Sequence, residues 1–107
     1  MFLAIDIGNT NITLGLFCSE HPGPCWRFAT GHEKMPDEYG PLITSLFRHA
    51  GIKGEAVAAA AIASVVPPLT GTFVEVCRQY LGCEPMVVDG MSNTGVRIAE
   101  TTTETTK

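Results

Sequence analysis

Residues 2–17 have the sequence FLAIDIGNTNITLGLF, and this stretch determines how the fold begins. Residues 2–7 are apolar except for one acid, whereas apolar side chains alternate with a period of two over residues 12–17. Such alternation is typical of a β-strand with one buried face. Gly8 and Asn9 begin a turn signal between the two runs. The stretch therefore predicts a β-hairpin.

The residues after the hairpin predict a third strand and a helix. Residues 20–24 form a turn signal, and residues 25–30 have the composition of a strand that completes an antiparallel meander. Apolar side chains then recur at helical spacing, at Tyr39, Leu42, Ile43, Leu46, Phe47 and Ala50. We expect this helix to begin between Asp37, as its N-cap, and Pro41, in its first turn, because proline has no N–H to donate.

The rest of the chain predicts a strand, a second helix and a final strand. The first helix is expected to end at Gly51, before the apolar run Ala56–Val66. Alanine favours a helix, but a short apolar run in front of two prolines favours a strand that is buried on both faces. The second helix then begins at Pro67 and ends at Gly82, and residues 85–89 form the last strand.

The order β-β-β-α-β-α-β predicts an α/β domain with a mixed sheet over residues 1–98. Residues 100–107 contain no apolar side chain, so we expect residues 99–107 to form a disordered tail. The net charge is −4 and the basic residues are scattered, which argues against binding to nucleic acid. No apolar run is long enough to span a bilayer and no basic segment precedes the first run, so we expect no membrane span and no signal peptide. These features predict a cytoplasmic protein.

The cysteines and histidines form no recognisable metal or redox motif. The cysteines are Cys18, Cys25, Cys77 and Cys83, and the histidines are His21, His32 and His49. The cysteine spacings match no common zinc pattern, and the absence of C-x-x-C argues against a small redox protein. Reduced, partly buried thiols are expected, with a disulfide framework as the alternative. We expect the histidines to be solvated and Trp26 to pack in the core.

The turn after the first strand is the candidate phosphate-binding site. Its candidate binding residues are Asp6, Gly8, Asn9, Thr10, Asn11 and Thr13. Gly8 lets the backbone turn without a Cβ, and the short polar side chains and backbone N–H groups suit phosphate oxygens. The Asp6 carboxylate, at the end of a buried strand, suits a magnesium ion. A plain hairpin turn is the alternative. Asp89 also follows a strand, and it either approaches the same edge of the sheet or begins a turn.

The pattern D-x-G-N-T-x-x-x-x-G, which begins at Asp6, resembles the first phosphate motif of the actin, sugar-kinase and heat-shock-chaperone ATPase superfamily. The sequence IDIGNTN at residues 5–11 resembles that of one branch of this superfamily, the type III pantothenate kinases, also called the Bvg accessory factor family. Three more segments add to the resemblance: DEYG at 37–40, SVVPPL at 64–69, and Thr94-Gly95 with Ile98. The resemblance extends over residues 1–98.

This resemblance implies a ribonuclease-H-like (actin-like ATPase) domain, with ATP bound in a cleft between two such domains of a dimeric enzyme. It implies transfer of the ATP γ-phosphate to pantothenate, the first step of coenzyme A biosynthesis. The implied cofactors are Mg²⁺ and a monovalent cation, K⁺ or NH₄⁺. The residues that match the family's nucleotide motif are Asp6, Gly8, Asn9, Thr10, Asn11 and Thr13. A carboxylate beside a triphosphate is chemically sensible when a metal lies between them.

The chain departs from the family pattern after Ile98. The family continues with a basic residue, a tyrosine and a Gly-Ala-Asp-Arg motif that carries the general base and a substrate-binding arginine. This chain has Ala99, Glu100 and threonine-rich sequence instead. No catalytic residue is therefore predicted here, and we expect the chain to be the nucleotide-binding N-terminal half of such a kinase, inactive by itself. The alternative is a non-catalytic binding or assembly module on the same fold, whose partner supplies the rest.

Overall fold

Five strands and two α-helices make up the part of the chain that the computed structural model describes, residues 1–19 and 21–88. The strands are β1 (Phe2–Ile7), β2 (Asn11–Cys18), β3 (His21–Ala29), β4 (Ala59–Ser64) and β5 (Met86–Val88). The helices are α1 (Pro36–His49) and α2 (Pro67–Val76), a π-helical turn (Cys77–Leu81) extends α2, and a short 3₁₀ helix (Gly54–Ala56) precedes β4. The predicted order of elements is confirmed. Asp89, Thr94, Gly95, Ile98 and the predicted tail at 99–107 lie outside the described residues.

The strands form one mixed sheet in the order β3-β2-β1-β4-β5. The first three strands are an antiparallel meander, as predicted, whereas β4 and β5 are parallel to β1. Ile7 pairs with Ile12 across the hairpin and with Ser64 at the end of β4. The carboxyl ends of β1, β4 and β5 therefore lie at one edge of the sheet, beside the turn between β1 and β2.

Both helices pack on the same face of the sheet. Leu3, Ile5 and Ile7 of β1 are at most 2% exposed. They share one core with side chains of the other elements, among them Ile12, Leu14, Leu16, Ile62, Tyr39, Ile43, Phe47, Leu69, Phe73 and Val76. Because side chains alternate along a strand, Phe2, Ala4 and Asp6 lie on the opposite face. We call this surface, which neither helix covers, the open face.

The third strand begins earlier than the sequence predicts. The predicted turn over residues 20–24 is wrong, because β3 runs from His21 to Ala29. Pro22 and Pro24 are tolerated there because β3 is the edge strand of the sheet and needs hydrogen bonds on one side only. The pairing with β2 also shifts register between Gly15 and Phe17, which accommodates the irregular segment.

Helix α1 begins two residues earlier than its expected N-cap allows. Met35, not Asp37, is the N-cap, and its backbone N–H donates to the Glu38 carboxylate at 2.8 Å. Pro36 takes the first helical position, which suits a residue without an N–H. Pro41 consequently lies in the second turn, so its predicted place in the first turn is wrong. The predicted end is confirmed, since Gly51 follows the helix with φ of 76°.

The second half of the described fold follows the sequence predictions closely. The apolar run forms strand β4 rather than a helix, although only Ala59–Ser64 belongs to it. Helix α2 begins at Pro67, and Gly82, with φ of 69°, ends its π-helical extension. All four cysteines are free thiols. Within the described residues, no helix combines the length and the apolar character that crossing a bilayer requires.

Candidate functional site

The candidate phosphate turn, residues 8–11, joins β1 to β2. The Gly8 N–H donates to the Asn11 carbonyl at 2.9 Å, which closes the turn. A Cβ on Gly8 would lie 3.0 Å from that same carbonyl oxygen. Glycine is therefore favoured here by the close approach of the backbone, and its φ is not in the left-handed region. Asn9 and Thr10, at the tip, are exposed.

Asp6 and Thr13 lie side by side on the open face. They are paired across β1 and β2, and both are half-buried. Directly opposed side chains on neighbouring strands have Cβ atoms about 5 Å apart. The same cross-strand row continues to Arg27 on β3, whose Cα lies two strand spacings, roughly 10 Å, from that of Asp6. The carboxylate and the hydroxyl are hard oxygen donors, the kind that Mg²⁺ accepts when phosphate supplies further ligands.

The backbone of the turn offers donors to an anion. The N–H groups of Asn9 and Thr10 have no hydrogen-bond acceptor among the residues that the structure describes. Exposed N–H groups on consecutive residues of a turn form a concavity that binds phosphate oxygens. The Asn11 side chain donates to the Thr10 hydroxyl at 3.3 Å, so the polar side chains of the tip are also in contact with each other.

Residues that follow β3 hold the turn from one side. The Thr30 hydroxyl donates to the Gly8 carbonyl at 2.8 Å, and the Thr30 N–H donates to the Thr10 carbonyl at 2.9 Å. His32 Nε2 lies 2.9 Å from the Asn9 carbonyl oxygen. Because a carbonyl only accepts, Nε2 carries the proton of this hydrogen bond. Thr30 and His32 thus form hydrogen bonds with three successive carbonyls of the turn, those of Gly8, Asn9 and Thr10.

The backbone between these two residues is bonded to the core through Tyr39 of α1. The Tyr39 hydroxyl accepts from the Gly31 N–H and donates to the Gly31 carbonyl, both at 2.8 Å. Tyr39 is 0% exposed, and its ring lies 4.6 Å from the ring of Phe73. Sequence patterns identify Tyr39 only as part of an apolar helix face and His32 only as a solvated residue. Neither pattern carries a signal for the His32 bond to a turn residue 23 positions away or for the Tyr39 bonds that hold Gly31.

The end of β4 completes this edge of the sheet. The Val65 N–H donates to the Ile7 carbonyl at 3.0 Å, so the β4–α2 junction contacts the start of the turn. The Ser64 hydroxyl accepts from the Val66 N–H and donates to the Val66 carbonyl, which shapes the entry into α2. The N-terminus of α2, whose dipole favours negative charge, therefore lies at the carboxyl edge, where open α/β sheets bind ligands.

The remaining candidates do not join this site. Trp26 packs against Phe47, with ring centroids 5.4 Å apart, which confirms its predicted role in packing. Within residues 1–19 and 21–88, no cluster of three or more histidine, cysteine or acidic side chains has the geometry of a metal site. Asp6 is the carboxylate that the described residues place beside the turn, and Mg²⁺ is commonly bound by one or two carboxylates together with phosphate oxygens.

Known sequences match almost the whole chain. A sequence model of the type III pantothenate kinase family matches residues 2–106. The type III pantothenate kinase of Geotalea uraniireducens is 46% identical over 98 residues, which cover 92% of this chain and 38% of that relative. The type III pantothenate kinases of Geobacter sulfurreducens and Thermomicrobium roseum are 45% and 42% identical over 98 residues, with the same coverage. The chain thus spans 38% of the length of these curated relatives.

Solved structures share the fold at low sequence identity. A Bacteroides thetaiotaomicron protein with an actin-like ATPase fold and unknown function superposes with a TM-score of 0.61 at 8% identity, over 94% of this chain and 37% of that chain. YeaZ from Pseudomonas aeruginosa has a TM-score of 0.61 at 17% identity, over 94% of this chain and 48% of that chain. The predicted fold class is therefore confirmed: the chain has the actin-like ATPase fold.

Proposed function

This chain belongs to the type III pantothenate kinase family, and on that premise we propose that it is the nucleotide-binding N-terminal half of such a kinase. The proposed reaction is transfer of the ATP γ-phosphate to pantothenate, which begins coenzyme A biosynthesis. The observation that carries the proposal is the turn at residues 8–11, which lies at the carboxyl edge of an actin-like sheet beside the Asp6 carboxylate. The alternative of a non-catalytic module has no observation in its favour.

The turn binds the phosphates in this proposal. The N–H groups of Asn9 and Thr10 donate to phosphate oxygens, and the side chains of Asn11 and Thr13 supply further polar contacts. Gly8 keeps the backbone close enough for these contacts, because any side chain there would press on Asn11. Asp6 holds Mg²⁺, which neutralises charge on the transferred phosphoryl group when it is bound. A monovalent cation, K⁺ or NH₄⁺, belongs to the proposed cofactor set through the family resemblance.

The residues that contact pantothenate and the general base belong to the portion of the family's sequence that this chain does not match. We propose that the chain alone has no appreciable kinase activity, because general-base assistance contributes about 10²–10⁴-fold and positioning by the other wall of the cleft adds to that. A cytoplasmic location and a homodimeric enzyme are parts of the same proposal.

Titration of the chain with Mg-ATP, followed by NMR, tests the proposed site. Half of a cleft should bind weakly, with a Kd on the order of millimolar, or about 4 kcal/mol. We expect shifts concentrated at residues 6–13. Asp6→Asn should weaken the magnesium-dependent part of the binding without loss of the fold, because it keeps the size of the side chain and removes its charge.

Asp37→Asn is the matched control, since Asp37 lies on α1 and accepts a hydrogen bond from Tyr80 that an asparagine oxygen also accepts. This variant should bind like the wild type. Identical shifts in wild type and Asp6→Asn, or shifts that map outside residues 6–13, would show that the assigned site is wrong.

A further inference from the structure

The segment after β3 forms hydrogen bonds with the candidate phosphate turn, and each of these bonds is accepted by a carbonyl group of the turn. Thr30 bonds to the Gly8 and Thr10 carbonyls, and His32 bonds to the Asn9 carbonyl. We propose that Thr30 and His32, anchored through Gly31 to the Tyr39 hydroxyl, are positioning residues that hold the turn in its phosphate-binding conformation before nucleotide arrives. We call these four residues the brace. The inference rests on the proposed function for the identity of the ligand, a nucleoside triphosphate.

Peptide geometry explains why bonds to carbonyls orient donors. A trans peptide is planar, so the carbonyl of one residue and the N–H of the next point in opposite directions. Bonds from the brace to the carbonyls of Gly8 and Asn9 therefore direct the N–H groups of Asn9 and Thr10 away from the brace. These are the two N–H groups that have no acceptor among the described residues. The brace thus presents the donors of the turn on the side that is open to a ligand.

The turn needs this support because it has little of its own. Its only internal backbone bond in the described structure runs from the Gly8 N–H to the Asn11 carbonyl. Asn9 and Thr10 are exposed, so packing does not fix their peptide planes. Without the brace, these planes would be free to rotate, and binding would have to order them at an entropic cost. Bonds made before binding remove that cost.

The anchor of the brace is the hydrophobic core. Tyr39 is completely buried, and its ring contacts the rings of Phe73 and Phe28, at centroid distances of 4.6 and 6.2 Å. Both hydrogen bonds of its hydroxyl are made to Gly31, which stands between Thr30 and His32. A buried hydroxyl with both bonds on one residue fixes that residue's backbone. The conformation of the turn is therefore coupled to α1 through Gly31. None of these hydrogen bonds joins α1 directly to the turn.

Substitutions that each remove one hydrogen-bonding side-chain group test the brace in the full chain. Tyr39→Phe keeps the ring and removes the anchor, and Thr30→Val keeps the shape and removes one bond to the turn. Thr30→Ser and His32→Gln retain a donor and serve as conservative partners of Thr30→Val and His32→Ala. Tyr80→Phe is the matched control, because it removes a hydroxyl that bonds to Asp37 on α1 and has no bond to the turn.

Amide hydrogen exchange of the free chain is the first measurement. Tyr39→Phe, Thr30→Val and His32→Ala should speed exchange of the Gly8 amide relative to the core amides of Ile5 and Leu14. The conservative variants and Tyr80→Phe should leave that ratio unchanged. A general loss of stability would speed all three amides together, so an unchanged ratio in Tyr39→Phe and Thr30→Val overturns the proposal.

Affinity for Mg-ATP, measured by NMR titration, is the second. Each variant that breaks the brace should raise the Kd about two- to tenfold, the equivalent of one hydrogen bond, without direct contact with the nucleotide. Wild-type affinity in these variants, despite faster exchange at Gly8, overturns the positioning role. If the wild-type chain itself shows no shifts with Mg-ATP, the proposed function is wrong, and the exchange ratio alone then decides whether the brace orders the turn.

Discussion

At the scale of single residues, Gly8 and Gly71 show how the surroundings decide what a glycine does. A Cβ on Gly8 would lie 3.0 Å from the Asn11 carbonyl oxygen, whereas a Cβ on Gly71 would have no atom within 4 Å. Gly71 lies inside α2 and is exposed. The first glycine is favoured by crowding in the turn, and the second only lowers the helical propensity of α2.

Alanine at these two positions should therefore change the free energy of unfolding in opposite directions. Gly8→Ala should destabilise the chain by about 1–2 kcal/mol, because the turn must open to admit a methyl group. Gly71→Ala should stabilise it by about 0.5–1 kcal/mol through helix propensity. Urea denaturation of both variants measures this. A Gly8→Ala variant as stable as the wild type would show that the close approach is not a constraint.

At the scale of elements, the end of α2 has a chemical consequence for a cysteine. After Gly82, the Cys83 N–H donates to the Cys77 carbonyl at 3.1 Å, a bond that closes the helix end and brings the two side chains into contact. Burial, followed by the effect of Cys83, raises the pKa of the Cys77 thiol from its ordinary 9.0 to about 12. The π-helical turn thus keeps this thiol protonated and unreactive.

The shifted pKa of Cys77 predicts a loss of stability in alkali. The folded chain keeps the thiol proton up to a pH of about 12, whereas the unfolded chain releases it near 9.0. Fewer protons are then bound in the unfolded state, so the free energy of unfolding falls as the pH rises through this window. Urea denaturation at several pH values from 8 to 11 should show a shallower fall in Cys77→Ala than in the wild type. Equal pH dependence in the two chains would contradict the assignment to Cys77.

At the scale of the whole molecule, the helices cover one face of the sheet, and no element of the described residues covers the other. Met86 is 61% exposed and Phe2 is 36% exposed, and both lie on the open face together with the small side chains of β4. Parallel strands are normally covered on both sides. An exposed apolar surface of this kind tends to be covered by another polypeptide. The homodimer that we propose would use it.

Light scattering at several concentrations tests whether the chain associates through the open face. We expect a mass above that of the 11.4 kDa monomer that rises with concentration. Met86→Glu should reduce association, because it places a charge on the open face. Val87→Glu is the matched control, since Val87 is 51% exposed but lies on the opposite side of β5. A monomer at every concentration, or equal effects of both substitutions, would contradict this use of the open face.

Sequence patterns predicted elements best where one period was long and uninterrupted. The buried face of α1 was predicted correctly at Tyr39, Ile43 and Phe47, because helical periodicity depends on which side chains are buried, whereas Ala50 lies beyond the helix and is exposed. The predictions failed at the ends of elements, where neighbours decide the outcome. Asp37 is of a residue type that commonly caps helices. In the structure, however, Glu38 accepts a hydrogen bond from the N–H of the N-cap Met35, and Asp37 accepts one from the Tyr80 hydroxyl instead. The prolines of β3 are typical of a turn, so local sequence predicted a turn there. They are tolerated in a strand because β3 lies at the edge of the sheet, and strand order cannot be read from local sequence.

The sequence by itself determined the hairpin at residues 2–17, the order of the elements and the family, because these depend on local spacing and on a contiguous motif. Only the tertiary structure decided what surrounds the motif. The pairing of Asp6 with Thr13 follows from hairpin register, but the bonds of Thr30, His32 and Tyr39 join segments that local patterns treat separately. Hydrogen bonds between residues distant in sequence depend on how β3 and α1 pack, and packing is a property of the whole sheet with its helices. For that reason the candidate phosphate turn was visible in the sequence, whereas the residues that hold it were not.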